Sequence, residues 1–321
     1  MKNIGGFFEL EIANKGYLQD SSFYALSTGR ACLMVLLKAI NPKLVYVPFY
    51  TCDATLEPFR LLGINIRYYE LNGDLTPKVQ PDLLDGEYFL WTNYFGLKSD
   101  ISKRIINTYG QEKVILDDTH NFFGFENLGC WSFTSVRKYF GVGDGALLYA
   151  PKPIDVSVYP QFESSTQHCA LRLAGHQQEA FAAYQTYEAS LDCSIGRMSS
   201  ETEKLMQNVD LFWAMKQRLK NFSILHKGLE RYNTLAIESS SSPYCYPLLP
   251  QNGIELSLLH ENGIFVPRLW ADVLKRKERG FLLEKEWSQH LIALPIDHRY
   301  SVEDMQSMVD VLSAILDQVE N

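Results

Sequence analysis

From residue 27 to about residue 150 the chain alternates short β-rich runs with segments of helical periodicity. Alternation of this kind is the pattern of βαβ units, and it predicts an α/β fold whose central sheet is mostly parallel. The strand candidates are Leu44 to Val47, Ile64 to Tyr69, Tyr88 to Trp91, Val114 to Leu116, Cys130 to Phe133 and Ala146 to Tyr149. Between them, Gly29 to Ile40, Thr51 to Leu61 and Ile101 to Tyr109 read as helices. Residues 168–191 and 199–229 are polar-rich and free of proline, so they read as helices that leave the sheet. A Ser-rich loop, Ser239 to Ser242, precedes Pro243 and a small α+β unit. That unit has a run at Tyr244 to Leu249, a helix near Ile254 to Glu261, a strand at Ile292 to Pro295 and a helix from Val302 to Leu316. The 321 residues suit two domains at about 150 residues each. The expected division is 1–195, with an N-terminal arm and the sheet, and 196–321, with a long linking helix and the small unit.

Composition narrows the function classes. With 30 Lys+Arg against 38 Asp+Glu, a net charge of -8 and no basic run beyond Lys275-Arg276-Lys277, the electrostatic drive toward nucleic acid is missing. The six cysteines stand singly, with no C-x-x-C pair and no His/Cys spacing suited to a metal, which favours a reducing compartment and no metal site. Glu9 and Glu11 interrupt any apolar leader near the N-terminus. The longest apolar helical run, Ala31 to Ile40, carries Lys38 and is half the roughly 20 residues that span a bilayer. A cytoplasmic protein without membrane contact is expected.

Three segments place polar residues at strand ends or helix starts, where an open α/β sheet forms its ligand crevice. In Ser27-Thr28-Gly29-Arg30-Ala31, a hydroxyl can cap a helix, Gly29 admits a ligand close to the backbone, and the helix terminus with Arg30 suits an anion. A plain capped helix explains the same residues. In Val114 to His120 an apolar strand stops at Asp117, Asp118 and His120. Asp117 can offer a carboxylate to a protonated ring nitrogen and His120 can stack on the same ligand, while Asp118 as a cap and His120 as a core residue is the structural alternative. In Trp131-Ser132-Phe133-Thr134-Ser135-Val136-Arg137-Lys138, a strand bearing hydroxyls delivers a lysine into a loop with Gly141, Gly143 and Gly145. Desolvation lowers the pKa of such a lysine and fits it for a Schiff base, though most lysines are simply solvated.

Together these segments hold an anion cradle, a carboxylate for a ring nitrogen and a Schiff-base lysine, the parts that pyridoxal 5'-phosphate requires. In that order they resemble the DegT-type sugar aminotransferases of the fold-type-I pyridoxal-phosphate enzymes. Thr28 to Leu33 is similar to the family's S-G-T-A-A-L turn, with Arg30 in the threonine position. Val47 to Thr55 is similar to V-P-S-F-T-F-V-A-T, and Val114 to His120 to V-I-E-D-A-A-H. Cys130 to Lys138 resembles C-F-S-F-H-P-T-K with one residue inserted, Gly143 to Leu147 resembles G-E-G-G-A-L, and Arg197-Met198-Ser199 the family's R-M-S.

The resemblance implies a fold-type-I transferase with a small C-terminal α+β domain, Lys138 as the catalytic lysine, and cofactor contacts from Thr28, Gly29, Arg30, Ala31, Asp117, His120, Ser132 and Ser135. It further implies amino transfer, with glutamate as donor, to a keto-sugar that is often nucleotide-linked, and a homodimer. Related sugar dehydratases carry histidine where this chain has Lys138. Two positions depart from the pattern. Cys52 stands where an aromatic stacks on the cofactor, leaving Tyr50, two residues earlier on the same extended face, to take that role. Ile195 stands where an asparagine reaches the partner subunit. These departures motivate an alternative, a binding or regulatory protein on the same fold; a different pyridoxal reaction on a similar sugar is a further one.

Overall fold

The computed structural model describes residues 22–237 and 243–320. The N-terminal arm and the Ser239 to Ser242 loop lie outside the described residues. The first part runs β1 (Phe23–Leu26), α1 (Gly29–Ile40), β2 (Leu44–Pro48), α2 (Asp53–Leu62), β3 (Asn65–Tyr69), β4 (Glu87–Thr92), α3 (Ser99–Tyr109), β5 (Val114–Asp117), β6 (Trp131–Ser135) and β7 (Ala146–Tyr149). There follow α4 (Gln167–Leu173), α5 (Gln177–Ser190), α6 (Ser200–Gln207) and α7 (Leu211–Leu229). The last part is β8 (Tyr246–Leu248), α8 (Leu256–Glu261), α9 (Leu282–His290), β9 (Ile292–Leu294) and α10 (Val302–Glu320).

Among the described residues the main sheet has seven strands in the order β1-β7-β6-β5-β4-β2-β3, and β8 pairs with β9 in a small antiparallel sheet. Within the main sheet only β7 runs against its neighbours. Alternation along the central strands sorts their side chains onto two faces. Val45, Val47, Leu90, Ile115, Trp131 and Phe133 pack with α1 on one face. Tyr46, Phe89, Trp91, Val114, Leu116 and Cys130 point the other way, into an apolar cluster that continues through Leu225 and Leu312 to Ile292 and Leu294. The sheet and the C-terminal unit therefore share one core.

All six strands expected in the first unit are present. The structure adds β1, a four-residue strand on the edge of the sheet, too short to announce itself by periodicity. Each long helical segment is divided in two. Gly175, with φ 88°, ends α4, and Asp210 caps a new helix by accepting from the Trp213 amide. The structure also adds the helix α9, in a stretch to which the sequence reading assigned no element.

Because β2 is followed by β3 on one side and β4 returns on the other, the strand order reverses between β2 and β4. A crevice outside the carboxyl ends of the parallel strands opens at such a reversal. The segments that leave β1, β2, β5 and β6 all emerge at that edge.

Candidate active site

The turn entering α1 is anchored on two sides. The Ser27 amide donates to Gly196 O at 2.9 Å, and the Gly145 amide donates to Ser27 O at 2.5 Å. Thr28 caps the helix, its Oγ1 accepting from the Ala31 amide at 3.0 Å, and the first turn carries no acidic residue. The remaining amides of that turn and the helix dipole favour an anion. A Cβ placed on Gly29 would sit 3.6 Å from the Thr119 methyl and 3.8 Å from the Phe133 ring. Those are ordinary contacts, so protein packing alone does not require glycine here.

Arg30 does not add an unanswered charge to this turn. Its guanidinium pairs with Glu57 of α2 at 3.2 Å. On β6, Ser135 lies on the same face as Phe133, beside the α1 turn, and its hydroxyl has no hydrogen-bond partner among the described residues. Ser132 lies on the opposite face, fully buried and likewise unpartnered. The strand thus brings one of the two predicted serines to the cradle and turns the other away.

β5 ends in two carboxylates with different surroundings. Asp118 accepts from Asn93 Nδ2 at 2.9 Å and from Asn121 Nδ2 at 3.3 Å, and burial pushes its pKa up to about 7. It braces the loop. Among the described residues Asp117, on the α1 face, takes its hydrogen bonds from Thr119 alone, the amide donating at 3.0 Å. Burial raises its pKa, against the hydrogen bonds of Thr119 and the charge of Lys138. A buried carboxylate with one backbone donor calls for a cation, and the nearby one is Lys138.

Lys138 is accessible to solvent although protein groups surround it. Its Nζ lies 3.4 Å from His120 Nε2 and 5.5 Å from the centre of the Tyr244 ring. Burial pulls its pKa down, but Tyr244, Cys52, Asp117 and Tyr184 together outweigh burial and hold it above its ordinary value. The expected lowering is therefore reversed, because acidic groups line the cleft on several sides. His120 is fully enclosed. Its ring stacks on Tyr244 at 4.2 Å and 12° and faces Trp270 at 5.5 Å, and burial, with Lys138 nearby, drives its pKa well below normal.

Tyr50 is not brought to the lysine. Its ring is buried against Tyr94, Trp270 and Trp287, and its hydroxyl has no partner among the described residues. Cys52, at the start of α2, is in electrostatic range of Lys138, its thiol paired with the Thr55 hydroxyl at 3.3 Å. Arg276 holds the loop from behind, donating to the carbonyls of Phe49 and Thr51 and to Asp53. Ile195 packs against the cluster under α1.

Thr119 was missed in the sequence. It is half-buried between Gly29 and Asp117, in the turn that follows β5, where its amide bonds the Asp117 carboxylate. Tyr244 and Tyr184 could not have been found, since each reaches the cleft from an element remote in sequence.

No protein-family model and no curated protein matches the sequence. Solved structures do. A DegT DnrJ EryC1 StrS aminotransferase from Brucella abortus superposes with a TM-score of 0.64 at 15% identity, over 91% of this chain and 85% of that one. The fold is that of the fold-type-I pyridoxal-phosphate transferases. A sugar aminotransferase from Micromonospora echinospora matches with a TM-score of 0.63 at 14% identity, over 91% of this chain and 87% of that one. A Bacillus subtilis protein solved with bound pyridoxamine phosphate gives 0.64 at 15%, over 92% and 73%.

The fold-type-I crevice can be tested for its fit to pyridoxal phosphate from its own residues. It holds a helix terminus without acidic residues in its first turn, a Ser135 hydroxyl with no partner among the described residues, a glycine at the entry of that helix, a buried carboxylate in electrostatic range of Lys138, and that accessible lysine. These are an anion site, a pyridinium partner and an amine, so the donor set fits.

Proposed function

We propose that this chain is a pyridoxal-phosphate-dependent aminotransferase that moves an amino group from an amino acid, glutamate by resemblance, to a keto-sugar carried on a nucleotide. The observation that carries the reading is the convergence of Asp117 and Lys138 on one crevice at the carboxyl ends of the parallel strands. When bound, the cofactor supplies a ring that accepts electrons while an amino group is exchanged. The α1 amides, Thr28 and Ser135 would hold its phosphate. Asp117 would hold the ring nitrogen in its protonated form, Thr119 would lie against the ring, and Lys138 Nζ would attach the group and then carry protons to and from the reacting carbon.

Among the described residues no helix is long and apolar enough to cross a membrane. We read the protein as a cytoplasmic homodimer, divided near residue 195 into a cofactor-binding unit and a C-terminal unit. A second reading, a binding protein on the same fold, draws support from Arg30 being neutralised by Glu57 and from Ile195 being committed to packing.

Reduction with borohydride after incubation with pyridoxal phosphate, followed by peptide mass analysis, separates the two. The enzyme reading expects the cofactor mass on Lys138, loss of attachment in Lys138→Ala, and transfer of labelled nitrogen from glutamate to one member of a keto-sugar panel. A protein that takes up no cofactor at Lys138 is a binding protein.

A further inference from the structure

The residue before Lys138 is an arginine whose one ionic partner among the described residues comes from a loosely held part of the chain. Arg137 forms an ion pair with Glu188 of α5, and its guanidinium lies 5.7 Å from the centre of the Tyr187 ring, one helical position earlier. Tyr184, on the same face of α5, is in electrostatic range of both Arg137 and Lys138. His168 of α4 packs between the two tyrosines, at 5.7 Å from Tyr184 and 5.6 Å from Tyr187. The helical pair α4–α5 therefore overhangs the lysine cleft and fastens to it through Arg137.

That fastening is slender. No side chain of α4 is buried and only Ala180 of α5 is, while Leu173 stands 91% exposed and Phe181 60%. An element with so little buried surface opens at low cost. Arg137 itself is mostly covered, and its Nε is buried with no hydrogen-bond partner among the described residues. Glu188 takes one terminal nitrogen of the guanidinium and leaves the Nε–H of the same fork unanswered. A planar carboxylate that took both donors would answer it. Exchange of one carboxylate for another also leaves the buried guanidinium paired, so the desolvation penalty of an exposed-to-buried charge does not arise.

We propose that Arg137 recognises the carboxylate of the amino donor, and that Glu188 is a placeholder which the donor displaces as α4–α5 swings away from the cleft. The proposal rests on the aminotransferase reading and adds to it the residue that selects an amino acid as donor. Arg137 precedes the lysine that must receive the amino group, so the donor is captured by its acid end next to the site where its nitrogen reacts. Glu188 keeps other anions from occupying the fork until a carboxylate of suitable geometry competes.

The test is calorimetric binding of glutarate, a dicarboxylate that cannot react, to the full chain and its variants. Glu188→Gln should bind glutarate about threefold tighter or better, because the internal competitor has lost its charge. Arg137→Gln should bind it about tenfold more weakly, and Arg137→Lys should recover part of the loss, lacking only the fork. Amide hydrogen exchange in 177–190 should rise when glutarate is added. If Glu188→Gln weakens binding or leaves it unchanged, Glu188 is a structural brace and the proposal is overturned; this variant decides the matter even if Arg137→Gln fails to fold. Borohydride attachment of pyridoxal phosphate to Lys138, measured on the same variants, keeps failure of the enzyme reading distinct: glutarate binding without attachment would leave a carboxylate site on a protein that is not an aminotransferase.

Discussion

Lys138 Nζ and His120 Nε2 lie 3.4 Å apart, and the surroundings assign the proton of that contact to the lysine. Burial and the neighbouring ammonium drive the His120 pKa well below its ordinary 6.5, while Tyr244, Cys52 and Asp117 help to keep Lys138 charged. His120 Nε2 is then the acceptor, and its single proton sits on Nδ1, which is buried without a partner among the described residues. Nitrogen-15 NMR of the imidazole should show the Nδ1–H tautomer and no protonation near pH 6. The sign of the linkage follows from the lowered pKa: stability held by the neutral ring is lost as pH falls below about 6.5 toward the folded-state value. A His120→Gln variant should lose less stability over that window than the parent.

Asp118 gives the opposite slope. Its pKa rises from an ordinary 3.8 to about 7 on folding, chiefly through burial. The folded chain binds the proton more tightly, so this contribution is complete at low pH and disappears as pH rises from about 4 to about 7. Asp118→Asn retains an oxygen for the Asn93 and Asn121 amides while removing the buried charge. Urea unfolding at pH 8 should find the variant more stable than the parent, with the difference shrinking toward pH 5. A variant weaker at both pH values would show that the carboxylate does more than accept two hydrogen bonds.

Asp117→Asn separates stability from function. The Thr119 amide keeps its acceptor, and the buried carboxylate, whose pKa burial raises, is gone. The cofactor-free variant should melt at a higher temperature than the parent and yet bind pyridoxal phosphate more weakly, the trade expected where a site keeps a buried, desolvated carboxylate. Thermal scans with and without the cofactor measure both halves.

How far these sites could be read from the sequence depended on whether their residues are neighbours along the chain. The central strands β2, β4, β5 and β6 were evident because buried parallel strands are continuous apolar runs, and Asp117 and Lys138 because they stand at or just beyond the ends of such runs. β1 was not, since four residues, three of them only half-buried, show little pattern. The role given to Tyr50 depended on an extended chain keeping residues 50 and 52 on one face. Instead the loop is held at Phe49 and Thr51 by Arg276, Tyr50 is packed into the core, and Cys52 is left in electrostatic range of the lysine. Tyr244 and the α4–α5 overhang are products of tertiary packing, which no local spacing records.

The cleft position of Cys52 gives a footprint. Of the six cysteines, Cys52 and Cys169 are partly exposed and the rest are buried. Iodoacetamide should therefore label these two first. Pyridoxal phosphate reduced onto Lys138 should protect Cys52 and leave Cys169 labelled, read by peptide mass analysis. Equal labelling before and after reduction would mean that the thiol does not border the cofactor.

Asp144 is the joint that keeps the lysine loop in place. Fully buried, it accepts from the Ser199 amide at 2.7 Å, from Ser199 Oγ at 2.6 Å and from Thr202 Oγ1, fixing the start of α6 to the glycine loop that follows Lys138. The next residue, Gly145, has φ +119°, and a Cβ there would press on Val136 and Thr202 at 3.1 Å, so the loop has little room to re-form elsewhere. Asp144→Ala strands three buried donors at once, a loss of about 3 kcal/mol or more at the usual cost per unanswered group. Asp144→Asn retains an acceptor and should lose less. Because Gly145 also binds Ser27 O, the alanine variant should lower phosphate-ester affinity together with stability, whereas a purely local brace would lower the unfolding midpoint and leave pyridoxal-phosphate attachment to the folded fraction unchanged.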